Sequence, residues 1–390
     1  MPNSTFDKNA NALLTSLREA GQYKFLQYLT GPMGATAALE GRGEVIVLCS
    51  NNYLGLANHP EVIAAGIEGL HQYGAGTASV RFICGTLDCH REIEETIARF
   101  AATEASLTYV SCWTANEGLI PTVAGENDVI ISDELNHASI IDAARLARKT
   151  AREIYRHSDM TDLEEKLKAH LDKPCRWVIT DGVFSMEGDV ANLPAILELC
   201  QKYEALLIID DSHGVGVLGD TGRGTPEYCG VAGQVDIITG TLGKALGGAA
   251  GGYVAASQQV IDLLVQRSRP SLFSNALPAT VACSARKAIE IVEREPARVK
   301  KLHANVKKMR DGLRNLGFDC HDSPTAIIPI MIGDHAEAIK KSERLMELGV
   351  MVIAFGFPVV PRGQARLRVQ ISAALEDSHI QQALGAFGKL

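Results

Sequence analysis

The stretch LLIIDDSHGVGVLG, residues 206–219, decides the fold class of this chain. Its apolar run, Leu206 to Ile209, is short, continuous and bounded by charge, which predicts a strand buried on both faces. The run ends in Asp210, Asp211 and His213, polar groups at the strand's carboxyl end, where open α/β sheets bind their ligands. Behind them Gly214, Gly216 and Gly219 fit GxGxxG. A dinucleotide fingerprint also needs a helix to begin there, so that its N-terminus can meet the pyrophosphate. The next residues are Asp-Thr-Gly-Arg-Gly-Thr-Pro, a loop by composition, and the Rossmann reading is set aside.

Outward from this strand the pattern repeats. Residues 129–132, 177–181 and 236–240 are further short apolar runs ending in small or polar residues, with helical periodicity between them. Asn192 caps one such helix, with Pro194 in its first turn and Leu193, Ile196, Leu197 and Cys200 on one face. The expectation is a large α/β domain with a mostly parallel sheet. After residue 281 helices dominate, followed by strands at 327–332, 350–353 and 366–372, and Asp334 caps a helix that Gly349 closes. The chain divides on this reading into an N-terminal arm (1–45), a large domain (46–280) and a smaller C-terminal α/β domain (281–390). The charged stretch at 294–310 mixes acids with bases and is expected to be a solvated helix face.

Composition excludes several classes. The chain has 390 residues, 46% of them hydrophobic and 22% charged, which rules out wholesale disorder. With 38 basic against 46 acidic residues and a net charge of −8, neither nucleic acid nor an anionic membrane is expected as the main partner. No secretory leader or membrane-spanning run is legible, and the nine cysteines are scattered without zinc spacing. The expectation is a cytoplasmic protein with free thiols and no metal. The 36 glycines are a mild excess, concentrated at 74–76, 214–224 and 240–252.

In the last of these groups, GTLGKALGGAAGG, Lys244 follows a glycine. A Walker A loop would need Gly at 238 and Ser or Thr at 245, where this chain has Ile238 and Ala245, so no P-loop is present. Lys244 is then either a surface-loop lysine or a desolvated amine able to form an imine, since burial lowers an amine's pKa. Asp210 bears on the choice: a buried carboxylate needs a cation or strong donors, and a protonated pyridine nitrogen is such a cation. Ser185 follows the strand at 177–181, and His137 stands at an expected helix start. Each histidine alone would more often be structural; the convergence of these segments at strand ends makes a site.

The segments SNNYLGLANHP (50–60), YGAGTASVRFICGT (73–86), SDELNHASIID (132–142), TDGVFSMEGD (180–189), IIDDSHGVGVLG (208–219) and TGTLGKALGG (239–248) together resemble the α-oxoamine synthases. These are fold-type I, aspartate aminotransferase-like enzymes that use pyridoxal 5′-phosphate (PLP). The resemblance is collinear over residues 45–390. At 237–253, 266–275 and 358–374 it is greatest to the branch that condenses glycine with acetyl-CoA.

The resemblance implies that Lys244 forms the imine with PLP and later moves the Cα proton, and that Asp210 pairs with the pyridine nitrogen. It places His137 on the ring face and Ser185 and His213 on the phenolic oxygen. The phosphate falls to Cys112 and Trp113, after Ser111 at a helix start, together with Thr241. Ser274 would reach the phosphate of a neighbouring subunit in a homodimer. Asn52 and Arg368 would bind the amino-acid carboxylate, for which a guanidinium offers a planar fork.

The implied reaction is acyl transfer from an acyl-CoA to glycine, giving a β-keto amino acid and CoA. A longer acyl donor, with alanine or serine and with decarboxylation, is the alternative, and another fold-type I activity such as amino-group transfer stays open. Two departures bear on the acyl group: Trp113 stands where the family usually has Phe, and residues 21–28 are less like the acetyltransferases.

Overall fold

The computed structural model describes residues 4–390. Strands β1 (Thr36–Leu39) and β2 (Gly43–Val47) form an antiparallel pair near the N-terminus. The next seven strands are β3 (Ala105–Tyr109), β4 (Val129–Asp133), β5 (Ala151–Tyr155), β6 (Arg176–Asp181), β7 (Leu206–Asp210), β8 (Ile237–Thr241) and β9 (Gly252–Ala256). They make one sheet in the order β3-β9-β8-β7-β6-β4-β5, with β7 at its centre. All neighbours are parallel except β9, which runs antiparallel to both β3 and β8. The expected strands and the mostly parallel sheet are therefore present.

Helices cover both faces, and alternation along each strand divides the residues between them. Ile208 packs with Ala115, Leu119 and Ile140 from the helices Cys112–Val123 and Ala138–Leu146. Leu207 and Ile209 pack with Leu163 and Leu193 from the helices Met160–Ala169 and Leu193–Lys202 on the other face. Asp210 continues the parity of Ile208 and points toward helix Cys112–Val123; Asp211 turns away. Its carboxylate accepts from Thr225 Oγ1 at 2.5 Å and Thr225 N at 2.9 Å, and burial pushes its pKa up to about 7. The GxGxxG glycines serve this loop: Gly216 and Gly219 hold φ of +77° and +82°, and only the short helix Thr225–Tyr228 comes after them.

The C-terminal part supplies β10 (Ile327–Gly333), β11 (Val350–Met351), β12 (Ile353–Phe355) and β13 (Ala365–Gln370). β13 lies between β10 and β12, antiparallel to both. The single strand expected at 350–353 is in fact divided. Val350 and Met351 pair with β2, Ile353 to Phe355 pair with β13, and Val352 is buried at the junction. One apolar run thus serves two sheets, because its two ends pair with different strands, β2 and β13, and complete the edge of each sheet. Asp334 caps the helix His335–Glu347 through a 2.8 Å bond from Glu337 N, and Gly349 stands just beyond it at φ +80°. The helix Ala297–Asn315 exposes Lys300, Lys307 and Lys308 and buries Val299, Leu302, Val306 and Met309, while Arg298 and Arg310 are half-buried.

We keep the division at residues 46 and 281 as a proposal for how the chain is organised. One buried cluster runs across it, from Ile46 and Leu48 through Ala282 and Ile289 to Val369 and Phe387. No helix among the described residues is long and apolar enough to cross a membrane.

Candidate active site

The carboxyl ends of β4, β6, β7 and β8 surround a cavity of about 230 Å³. It is lined by Ser111, Cys112, Trp113, His137, Ser185, Asp210, His213, Thr241 and Lys244, and also by Ser139, Asp181 and Ser212. Nine of the twelve residues singled out from the sequence therefore converge here. Asn52, Arg368 and Ser274 do not line it.

Helix Cys112–Val123 points its N-terminus into the cavity. Ser111 caps it, accepting from Thr114 N at 3.1 Å, so the amides of Cys112 and Trp113 stay free of capping bonds. Gly252, at the start of β9, allows the helix this close: a Cβ there would overlap the Cys112 amide. Free amides at a helix N-terminus are an anion site. Thr241, at the end of β8, accepts from Gly243 N at 3.0 Å and donates to Gly251 O at 3.2 Å, which fixes its hydroxyl beside them.

Asp210 Oδ2 accepts from Asn116 Nδ2 at 2.7 Å and from the Cys112 thiol at 3.5 Å, while Oδ1 accepts from Ser212 N at 3.0 Å. Asn116 Nδ2 also lies 2.9 Å from Ser139 Oγ, which in turn meets His137 Nδ1 at 2.8 Å. His137 N donates to Asp181 Oδ2 at 2.7 Å. The histidine-bearing and acid-bearing elements are thus cross-braced by Asn116, Ser139 and Asp181, none of which sequence reasoning named. Asn116 was findable in principle: it stands four residues after Cys112, on the same face of a helix. Burial and the nearby Asp210 raise the Asp181 carboxyl well above the ordinary range.

Lys244 is drawn into the cavity by the loop between β8 and β9. Burial lowers its pKa, with the neighbouring carboxylates opposing. Among the described residues its amine makes no hydrogen bond and no salt bridge. Burial also lowers the pKa of His137 and takes that of His213 well down, which favours the neutral ring in both. The Trp113 indole meets the His137 ring edge-on, with centroids 5.9 Å apart, and is anchored by Nε1 donating to Glu117 Oε1 at 2.8 Å.

The two arginines of β13 differ sharply. Arg366 is 1% exposed and committed: Nη1 donates to Glu187 Oε1 and Met186 O, both at 3.0 Å. Arg368 holds Ser185 O at 3.0 Å and Gln370 Oε1 at 3.1 Å, lies over the Phe355 ring, and keeps a buried Nε with no partner. Asn52 is buried, its Oδ1 accepting from Ala57 N at 3.1 Å. Ser274 lines a separate cleft with Arg148, Arg267, Arg269 and Phe273, the last 73% exposed.

A buried amine without a partner, a neighbouring carboxylate and a helix N-terminus around one cavity fit a phosphate-bearing aldehyde with a basic ring nitrogen. The fold and this site define the class: the chain belongs to the aminotransferase class I and II family, whose pattern spans residues 43–387. Within it, the chain is similar to the α-oxoamine synthases. It is 47% identical over 379 residues to the 2-amino-3-ketobutyrate coenzyme A ligase of Escherichia coli K12, covering 97% of this chain and 95% of the relative. It is 46% identical over 378 residues to the 8-amino-7-oxononanoate synthase of Thermoanaerobacter pseudethanolicus, with coverage of 97% and 95%. Among solved structures, the Sphingomonas wittichii serine palmitoyltransferase superposes with a TM-score of 0.93 at 30% identity, covering 100% of this chain and 98% of that one. A structure of SPT with its PLP internal aldimine reaches 0.94 at the same identity and the same coverage.

Proposed function

We propose that the chain is a PLP-dependent acyltransferase that condenses glycine with acetyl-CoA to give 2-amino-3-ketobutyrate and CoA. The observation that carries this reading is the unpartnered Lys244 amine facing the same cavity as Asp210, in a chain 47% identical to a 2-amino-3-ketobutyrate coenzyme A ligase. When bound, PLP supplies an electron sink for the charge left at Cα after proton removal.

The chain's own residues supply the rest. Asp210, oriented by Asn116 and Ser212, holds a proton on the pyridine nitrogen. The amides of Cys112 and Trp113 would hold the phosphate, with the Thr241 hydroxyl turning from Gly251 O to donate to it. His137 covers one ring face, and Ser185 and His213 meet the phenolic oxygen. Arg368 takes the glycine carboxylate on its free Nε edge, with Asn52 beside it, and so orients the Cα–H bond for removal. Lys244, with its pKa lowered by burial, accepts that proton and can return it. A carbon–carbon bond then forms to the acyl carbonyl as the carbon–sulfur bond breaks, and CoA leaves as the thiol, carrying in net terms the proton removed from Cα.

In the same proposal the enzyme works in the cytoplasm as a homodimer, with no nucleic-acid or membrane partner. Ser274 lines a cleft apart from its own chain's cavity, which suits a residue serving the partner's phosphate. The 46% identity to an 8-amino-7-oxononanoate synthase supports a second reading, a longer acyl-CoA used with alanine and with decarboxylation. The deciding experiment is a steady-state assay crossing glycine, alanine and serine with acetyl-, pimeloyl- and palmitoyl-CoA. Glycine with acetyl-CoA is expected to give the highest kcat/KM, and any other best pair overturns the assignment.

A further inference from the structure

A chain of hydrogen bonds runs from the arginine of the proposed carboxylate clamp to the histidine of the cavity. Arg368 Nη2 is 3.1 Å from Gln370 Oε1, and Gln370 Nε2 is 2.8 Å from Tyr53 Oη and 2.7 Å from Asn51 Oδ1. Tyr53 Oη is 2.8 Å from His213 Nδ1. Tyr53 is fully buried and Gln370 is 1% exposed, so the middle of the chain is closed to bulk water.

The Arg368 and Gln370 links each have one direction open, and distance selects the direction of the Tyr53 link. A guanidinium donates and never accepts, so the Gln370 atom facing Arg368 must be the carbonyl oxygen. The Gln370 NH₂ then faces Tyr53 and Asn51, and one of its hydrogens occupies a lone pair of the phenol oxygen. Tyr53 has one proton left to give. His213 Nδ1 lies at 2.8 Å, whereas Asn51 Oδ1 is 3.5 Å away and already accepts from Gln370. His213 Nδ1 is therefore an acceptor, and in a neutral ring the proton must sit on Nε2.

We propose that Tyr53 and Gln370 are positioning residues that fix His213 as its Nε2–H tautomer, so that the ring meets the cavity as a hydrogen-bond donor. Arg368 anchors both branches of this arrangement: Nη2 sets the Gln370 amide, and Nη1 holds Ser185 O at 3.0 Å. The inference rests on the proposed function only in naming what receives the bond. An anionic phenolic oxygen is stabilised by a donor and repelled by the lone pair that the other tautomer would present.

The test uses histidine labelled with ¹⁵N in the full-length protein, both PLP-loaded and after PLP removal, with His213 assigned against His213→Asn. In the wild type Nε2 is expected to be the protonated nitrogen in both forms. Gln370→Glu offers only acceptors, so Tyr53 should donate to the new carboxylate and His213 should transfer its proton to Nδ1. Turnover should fall about tenfold to a hundredfold in kcat with KM for acyl-CoA unchanged. Tyr53→Phe removes one oxygen and should leave the cofactor-free ring as a mixture of tautomers; it carries the test if Gln370→Glu does not fold. Protonation of Nδ1 in the wild type, or a His213 spectrum unmoved in both variants, overturns the proposal. Failure of the functional reading would look different: no PLP uptake or no condensation, with the wild-type tautomer intact in the cofactor-free protein.

Discussion

At the scale of single residues, neighbours of like chemistry are separated by what surrounds them. Arg366 and Arg368 point from the same face of β13, yet one is spent on Glu187 and the other keeps a free nitrogen. Arg366→Met is expected to cost about 3 kcal/mol of stability by leaving Glu187 and a carbonyl without their donor. Arg368→Lys should cost less stability than that and raise KM for glycine about tenfold to a hundredfold, since an ammonium keeps the charge but cannot copy the planar fork. Denaturant melts beside steady-state kinetics separate the two effects. Lys244→Ala should remove the yellow colour of the purified protein and lower kcat by at least about 10³-fold, read by absorbance and by assay.

At the scale of elements, the segment after β6 that carries Ser185 is tied to β4 by a histidine. His157, just beyond β5, meets Asp133 Oδ1 and Asp189 Oδ2, both at 2.9 Å, and its ring packs edge-on to Phe184. Burial disfavours the charged ring, but bonding to two carboxylates outweighs it and raises the pKa to about 10. A pKa raised on folding stabilises the fold fully below the unfolded value of about 6.5, and that contribution is lost as pH rises toward 10. Urea melts of wild type and His157→Gln should therefore differ most near pH 6 and converge by about pH 10. A gap that widens with pH would sink this account.

Helix Cys112–Val123 makes a similar demand on one residue. Gly252→Val would drive a side chain into the Cys112 amide, so PLP affinity should drop by more than tenfold in equilibrium dialysis while the sheet persists by circular dichroism.

At the scale of the whole molecule, the placement of Ser274 away from its own chain's cavity leads to a mixing experiment. In the proposed homodimer, Lys244→Ala and Ser274→Asp protomers are each expected to be poorly active alone. Mixed dimers should recover up to about half of wild-type activity, because one of the two sites then pairs an intact Lys244 with an intact partner serine. Recovery absent from dimers verified by mass would mean that Ser274 serves its own subunit or none.

Much was legible in the sequence because it is local. A run such as Leu206 to Ile209 ending in acid is a buried strand regardless of its distant neighbours, and Asn192, Asp334 and Ser111 mark helix starts through bonds spanning only two or three residues. The resemblance carried over to Lys244, Asp210 and His137, and the cavity gathers them. What the chain order hides depends on partners far away. Residues 350–353 divide because β2 and β13 compete for them, and the pairing with β2, across about three hundred residues, leaves no local trace. Tyr53 and Gln370 meet across 317 positions, and nothing in either segment announces the other. Short-range periodicity and capping are properties of the chain, so the sequence by itself determined the central strands and several helix starts, and its motifs, through resemblance, the class of chemistry at their ends. Hydrogen-bond direction and desolvation depend on which groups the fold brings within about 3 Å. Only the tertiary structure could decide which arginine keeps a free edge and which nitrogen of His213 bears the proton.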